Sequence, residues 1–333
     1  MRKNYLLIFI SFILMSFTGF KIRQLFYAPS YFPKPIYNFK ENPLDSATIE
    51  LGRILFYDPI LSKDNSISCA SCHSPYNAFA HTDHDLSHGI FDSIGNRNAP
   101  ALFNLAWQSS FMWDGAINHL DVQPLAPISH ASEMASSINE VIEKLSASDH
   151  YKKLFAKTFK DSIISSSKIL KALSQFQVTL VSANAKYDRV QLGKDQFTFQ
   201  EENGYKLFQN NCASCHAEPL FSNYNFENNG LPMDPVLNDL GRYNVTLDET
   251  DKLKFKVPSL RNLSYTYPYM HDGRFDKLNE VLTHYTTEFA INNSLKKQIT
   301  LTSNEKVDLI AFLLTLDDKE FVFDKKHQFK KIE

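Results

Sequence analysis

Apolar residues recur along this chain at helical rather than strand spacing. Ile169, Ala172, Leu173, Phe176 and Leu180 fall at offsets of +3, +4, +7 and +11, which is one face of an α-helix. Val307, Ile310, Ala311 and Leu314 repeat the pattern, and Thr302 and Glu305 are spaced as a capping box just ahead of them. Ser46 is placed to cap a helix that carries Gly52 to Phe56. Strict apolar–polar alternation is weak throughout, so the pattern predicts an all-α fold. The stretches 58–68, 91–100 and 222–244 are rich in Asn, Asp, Ser, Gly and Pro. They read as long ordered loops wrapped around something. Residues 1–20 differ: a short basic start precedes an apolar run from Tyr5 to about Phe20. That is the form of a secretory signal, or of an anchor left uncleaved, and either implies export. The run is short for a membrane-spanning helix.

The chain also repeats itself. "GRILF" (52–56), "CASCH" (69–73) and "FQVTL" (176–180) recur in the same order as "GYKLF" (204–208), "CASCH" (212–216) and "FLLTL" (312–316). Two copies of one domain account for this order. The expected layout is a signal or anchor (1–20), an extended leader (21–44), a first domain (45–190) and a second (191–323), the two meeting near 186–196.

Composition narrows the chemistry. A net charge of −2 gives no basic excess for nucleic acid. An apolar content of 43% is ample for a core, and the 13% of aromatics suits either a Phe-rich core or the wall of a large flat cofactor. All four cysteines lie in the two Cys-x-x-Cys-His segments, which leaves none for a disulfide framework, although exported chains usually carry one. Cysteines three apart can form thioethers to the two vinyl groups of a haem, and the next residue, His, can ligate its iron. The predicted attachment sites are Cys69, Cys72 and His73, and Cys212, Cys215 and His216. A shared zinc site is disfavoured, because such pairs usually lie ~15–20 residues apart. A redox Cys-x-x-Cys would not need the His. Each iron then has one axial position whose occupant decides between electron carriage and catalysis.

The ordered set "LGRILFYDPILS", "SISCASCH", "SHG", "GNRNAPALFNLAW", "FMWDGAINHLDVQPLAPI", "SEM", "CASCH", "FKVPSLRN", "YPYMHDGRF" and "LNEVLTHY" resembles the bacterial dihaem cytochrome c peroxidases and the related MauG-type enzymes over residues 45–320. The resemblance implies two cytochrome c-like domains with two covalently bound haem c groups, the peroxidatic one in the first domain and the electron-transfer one in the second. It further implies that Glu133 is the distal acid, Gln123 a second pocket residue and Trp113 the aromatic between the haems, with Trp107 in the core. Asn98, with carbonyls near Pro258, would hold a calcium ion. His88 aligns with the residue that caps the resting first haem in many relatives, with His81 and His84 nearby. At the second haem, where many peroxidases use Met, the matching position is Tyr285, as in MauG-type enzymes; Met270 competes, ahead of His271 and His284.

The expected function is reduction of hydrogen peroxide to water with electrons from a small soluble c-type cytochrome or copper protein in the periplasm. One alternative is a MauG-like, peroxide-dependent oxidase of a protein substrate. A second is a dihaem electron-transfer protein without turnover. The family is often dimeric, so a homodimer is an expectation too.

Overall fold

The computed structural model describes residues 25–287, 292, 294–295 and 298–330; the apolar run at 1–20 lies outside these. In chain order the helices are α1 (Ser46–Tyr57), α2 (Cys69–Cys72), α3 (Leu125–Ser129), α4 (Ile138–Ala147), α5 (Asp149–Phe159), α6 (Ser166–Val178), α7 (Lys186–Gln191), α8 (Phe199–Asn211), α9 (Tyr243–Thr246), α10 (Leu278–Tyr285), α11 (Ser303–Leu314) and α12 (Lys319–Val322). Strand is confined, among the described residues, to one antiparallel pair, β1 (Phe226–Glu227) with β2 (Phe255–Lys256). No helix among the described residues is long and apolar enough to cross a membrane.

The repeated letters mark one packing unit built twice. In the first half α1 crosses α6 at Gly52, where a Cβ would lie 1.9 Å from the Ala172 carbonyl oxygen. In the second half α8 crosses α11 at Gly204, where a Cβ would lie 2.0 Å from the Asp308 oxygen. A third aromatic completes each unit. Phe56, Phe79 and Phe176 stack in the first, with Phe56 and Phe176 centroids 5.2 Å apart. Phe208, Phe221 and Phe312 stack in the second, with Phe208 and Phe312 5.1 Å apart. All six rings are at most 1% exposed. Gly52→Ala or Gly204→Ala should therefore force the paired helices apart. The expected loss is about 1–3 kcal/mol, as for other overpacked cores, read from the denaturant midpoint.

Local signals were partly different from the sequence pattern. Asp45, not Ser46, caps α1: its carboxylate accepts the Thr48 N–H at 2.9 Å. The Thr302–Glu305 box does cap α11. The buried face of α11 is Leu309, Phe312 and Leu313, while Val307 is 54% and Leu314 45% exposed. Ile169, Ala172, Leu173, Phe176 and Leu180 are all buried.

Three segments tie the halves together: residues 25–44, α7 through Asp188, and residues 319–330. Residues 25–44 form no helix or strand but pack on the first core, with Phe26 and Phe32 against Trp107, whose Nε1 donates to the Pro33 oxygen. Tyr31 donates to Asp188 at 2.5 Å, and Asp188 also takes both terminal nitrogens of Arg261 at 2.8 and 2.7 Å. The third segment, residues 319–330, follows the second half but packs on the first. Phe321 and His327 cover Phe79, Tyr57 donates to the His327 oxygen, and Arg53 donates to the Gln328 oxygen.

Candidate functional site: two paired cysteine–histidine centres

Each CASCH segment closes in one helical turn. The backbone N–H of His73 donates to the Cys69 oxygen, and that of His216 to the Cys212 oxygen, both at 2.9 Å. The turn holds the two sulfurs of each pair on one side with His directly after them. Each imidazole then places its Nδ1 against backbone oxygen: His73 on Phe79 at 2.9 Å, and His216 on Phe221 and Pro258, both at 3.2 Å. An Nδ1–H bound to a carbonyl selects the tautomer with a free lone pair on Nε2, the form that ligates a metal. Burial pushes both imidazoles down to about 4, so they stay neutral at neutral pH. The same Phe that completes each aromatic stack therefore also orients each His.

The four cysteines are unbridged, and burial pushes the Cys69 and Cys212 thiols up to about 12. A thiol held that firmly protonated is a poor attacking group for a redox pair. Among the described residues no three His, Cys, Asp or Glu side chains converge on a metal-sized site.

The second centre opens into a cavity of about 260 Å³ at the seam between the halves. Its walls are mainly apolar and include Cys212, Cys215, His216, Leu282, Met270 and Tyr285. A flat apolar macrocycle held by two thioethers and one imidazole fits this donor set and this lining. The first half supplies part of the same wall through Ala80, Pro100 and Trp113. Ala80 follows the residue that orients His73, and the Pro100 carbonyl also faces His73. Ala80 and Pro100 thus form part of a partition that the two centres share.

Trp113 is fixed in the wall of that cavity. Its Nε1 donates to the Asn98 oxygen at 2.8 Å, and its own carbonyl accepts from the Lys256 N–H. The Asn98 N–H donates across the seam to the His271 oxygen, and its side-chain amide donates to the Asp85 oxygen. Arg97, next in line, bonds Asp114 in the first half and Asp239 in the second.

Tyr285 and Met270 both line the cavity and both meet Asn229, a residue that the sequence pattern missed within its Asn-rich loop. The Asn229 amide donates to Met270 Sδ at 3.4 Å and hydrogen-bonds the Tyr285 hydroxyl; its carbonyl pairs with His284 Nε2. Burial pushes the Tyr285 phenol up to about 12. His271 is stacked on Phe255 at 3.6 Å.

Near the first centre, Glu133 lies close enough to Cys69 and Cys72 to raise both thiols. Its own carboxyl is pushed up by burial and drawn back by His130. The Glu133 carbonyl accepts the Ile90 N–H, which docks the histidine loop beside it. In that loop the His88 backbone oxygen meets Cys72 Sγ at 3.8 Å. The His88 ring stacks on His84 at 4.4 Å and pairs with Asp92, while His81 pairs with Ser87. The Gln123 amide points to Met112 Sδ at 3.8 Å.

The comparisons agree with this geometry. Residues 46–196 match the family model described as di-haem cytochrome c peroxidase, and residues 201–317 match the one described as cytochrome c. The methylamine utilization protein MauG of Methylophilus methylotrophus is 36% identical over 89% of this chain and 88% of its own length. The chain belongs to the dihaem cytochrome c peroxidase/MauG family. It therefore carries two haem c groups in two cytochrome c-like domains. The cytochrome c551 peroxidase of Nitrosomonas europaea is 34% identical over 82% of this chain and 81% of its own. Among solved structures, a MauG-like protein associated with microbial copper homeostasis superposes with a TM-score of 0.80 and 31% identity, covering 90% of this chain and 97% of that one.

Proposed function

We propose that this dihaem protein reduces hydrogen peroxide to water, taking two electrons singly from a small c-type cytochrome or copper protein in the periplasm. The observation that carries the reading is Glu133, a carboxyl of raised affinity for its proton beside the first thioether pair. When bound, the haems supply two electrons and an iron position at which an O–O bond can be cleaved. The chain's own residues supply the rest. Glu133 takes a proton from peroxide and returns it to the departing oxygen, which leaves as water. The Gln123 amide orients the peroxide. His73 and His216 would present Nε2 to each iron, because Phe79 and Phe221 hold Nδ1. Trp113, in the cavity wall, carries electrons from the second centre to the first. His88 would serve as the displaceable cap of the first iron, its ring restrained by Asp92 and His84. At the seam Asn98, with carbonyls near Pro258, would hold a calcium ion on amide and carbonyl oxygens. The signal or anchor at 1–20, export and a homodimer belong to the same proposal.

Stopped-flow mixing of the half-reduced protein with peroxide, followed by steady-state turnover with reduced cytochrome c or cupredoxin, tests it. Rapid, stoichiometric consumption with donor oxidation is expected. A fully haem-loaded protein that consumes no peroxide with any such donor would sink the reading.

Tyr285 favours a second reading, a MauG-like oxidase that uses peroxide on a protein's side chains. A phenol held near 12 by burial becomes a phenolate ligand only with a cation such as ferric iron beside it. An anionic oxygen ligand lowers a haem's reduction potential. Tyr285→Phe should then raise the potential of the second haem by on the order of 100 mV, within the ~0.8 V that axial ligands span. Met270→Leu should leave it nearly in place. Redox titration followed by optical spectra checks both, and the reverse pattern would assign the ligand to Met270.

A further inference from the structure

We propose that His130 is a positioning and proton-passing residue that connects Glu133 to solvent. The inference rests on the peroxidase reading of that site. Reduction of one peroxide to two waters consumes two protons and two electrons. Within O–O cleavage Glu133 only borrows a proton: it takes one from the nearer oxygen and gives it to the farther, which departs as water. The oxygen left behind still needs two protons, and these come from outside. A titratable partner that touches both Glu133 and bulk water speeds that supply.

His130 is placed for that. Its Nδ1 lies 3.6 Å from Glu133 Oε1, a distance that a small side-chain rotation closes to a hydrogen bond. Its side chain is 52% exposed against 39% for Glu133, so water meets the ring. The spacing is set by the backbone, not by chance contact. His130 ends α3, its N–H donating to the Ala126 oxygen, and its carbonyl accepts both the Glu133 and Ala135 N–H groups. The two side chains therefore spring from one tight turn. An imidazole can accept a proton on one nitrogen while releasing one from the other, which a lysine, serine or amide cannot do near neutral pH. Of the other histidines near this centre, His88 pairs with Asp92, His81 with Ser87, and His84 stacks on His88.

The test reads ligand binding instead of turnover. Hydrogen cyanide must lose its proton to bind iron as cyanide, so Glu133 takes that proton and His130 passes it out. Carbon monoxide binds the reduced iron with no proton transfer. Association rates of both are measured for the parent, His130→Ala and His130→Asn holoproteins, in the oxidation state in which the parent binds each ligand. The asparagine keeps a nitrogen near the Nδ1 position but cannot relay a proton. The expected result is cyanide association slowed about tenfold in both variants, a modest share of what general acid–base groups contribute. Carbon monoxide association should be unchanged. A cyanide rate equal to that of the parent overturns the proposal. So does an equal slowing with carbon monoxide, or full recovery in His130→Asn, since each would mean that His130 only shapes the pocket. No peroxide or donor is present, so a protein that fails to turn over peroxide sinks the preceding function without touching this result.

Discussion

Glu133→Gln is expected to lower kcat/KM for hydrogen peroxide by about 10²–10⁴-fold while both haems stay attached. Glutamine keeps the volume and one hydrogen-bonding oxygen but can neither take a proton from peroxide nor return it. The carboxyl stands beside Cys69 and Cys72, and burial raises its pKa above the ordinary value of 4.5. As base it must start ionised. Activity of the parent should therefore fall as pH drops through that raised value, at a pH higher than an exposed glutamate would give. The Gln variant should show no such limb. Steady-state rates across pH, with haem content checked by spectrum, measure both. A variant within a few-fold of the parent would remove Glu133 from the chemistry and leave proton transfer to another group.

Arg261→Met should be the most destabilising single change in the fold. Arg261 is fully buried and bidentate to Asp188, itself buried, and it also donates to the Pro219 oxygen. Its guanidinium lies over Phe32 and Phe221 at 5.1 and 5.6 Å. One cluster thus joins the 25–44 segment, α7 and the loop that orients His216. Removing the cation strands a carboxylate in the interior, which costs about 3–5 kcal/mol. Removing both charges as Asp188→Leu/Arg261→Met should cost far less than the two single changes together, because no unpaired ion remains. Thermal and denaturant melts of the three variants decide it. A single-variant loss under ~1 kcal/mol would show that water reaches the pair.

Legibility in the sequence depended on how local each interaction is. The helix crossings were readable because Gly52 with Phe176, and Gly204 with Phe312, recur as letters at fixed places. The orienting aromatics were not: Phe79 stands six residues after His73 and Phe221 five after His216, so a one-residue offset hid the match. The buried face of α11 was misread because Val307, Leu309, Ile310, Ala311, Phe312, Leu313 and Leu314 are apolar nearly all round. There, contact with Gly204 and Phe208 on α8 selects the face, and periodicity cannot. At Ser46 two adjacent residues could both cap, and the carboxylate one place earlier won. Asn229 meeting Tyr285 and Met270, and Asp188 meeting Arg261, join residues far apart in the chain, for which a single sequence holds no signal. His130 needed only its three-residue spacing to Glu133, but an exposed His after a short helix looks ordinary until the carboxylate beside it is seen.

The crossing of residues 319–330 back onto the first domain has a consequence for the order of assembly. Phe79 receives its cover, Phe321 and His327, only after the second half of the chain exists; His327 ends 3% exposed. A ribosome adding ~5–20 residues per second needs roughly ten to fifty seconds to travel from His73 to that cover. For that interval the first Cys-x-x-Cys-His turn is complete while its domain is still unlidded. The first centre thus stays uncovered until residues 319–330 are made, and those residues are what closes over it.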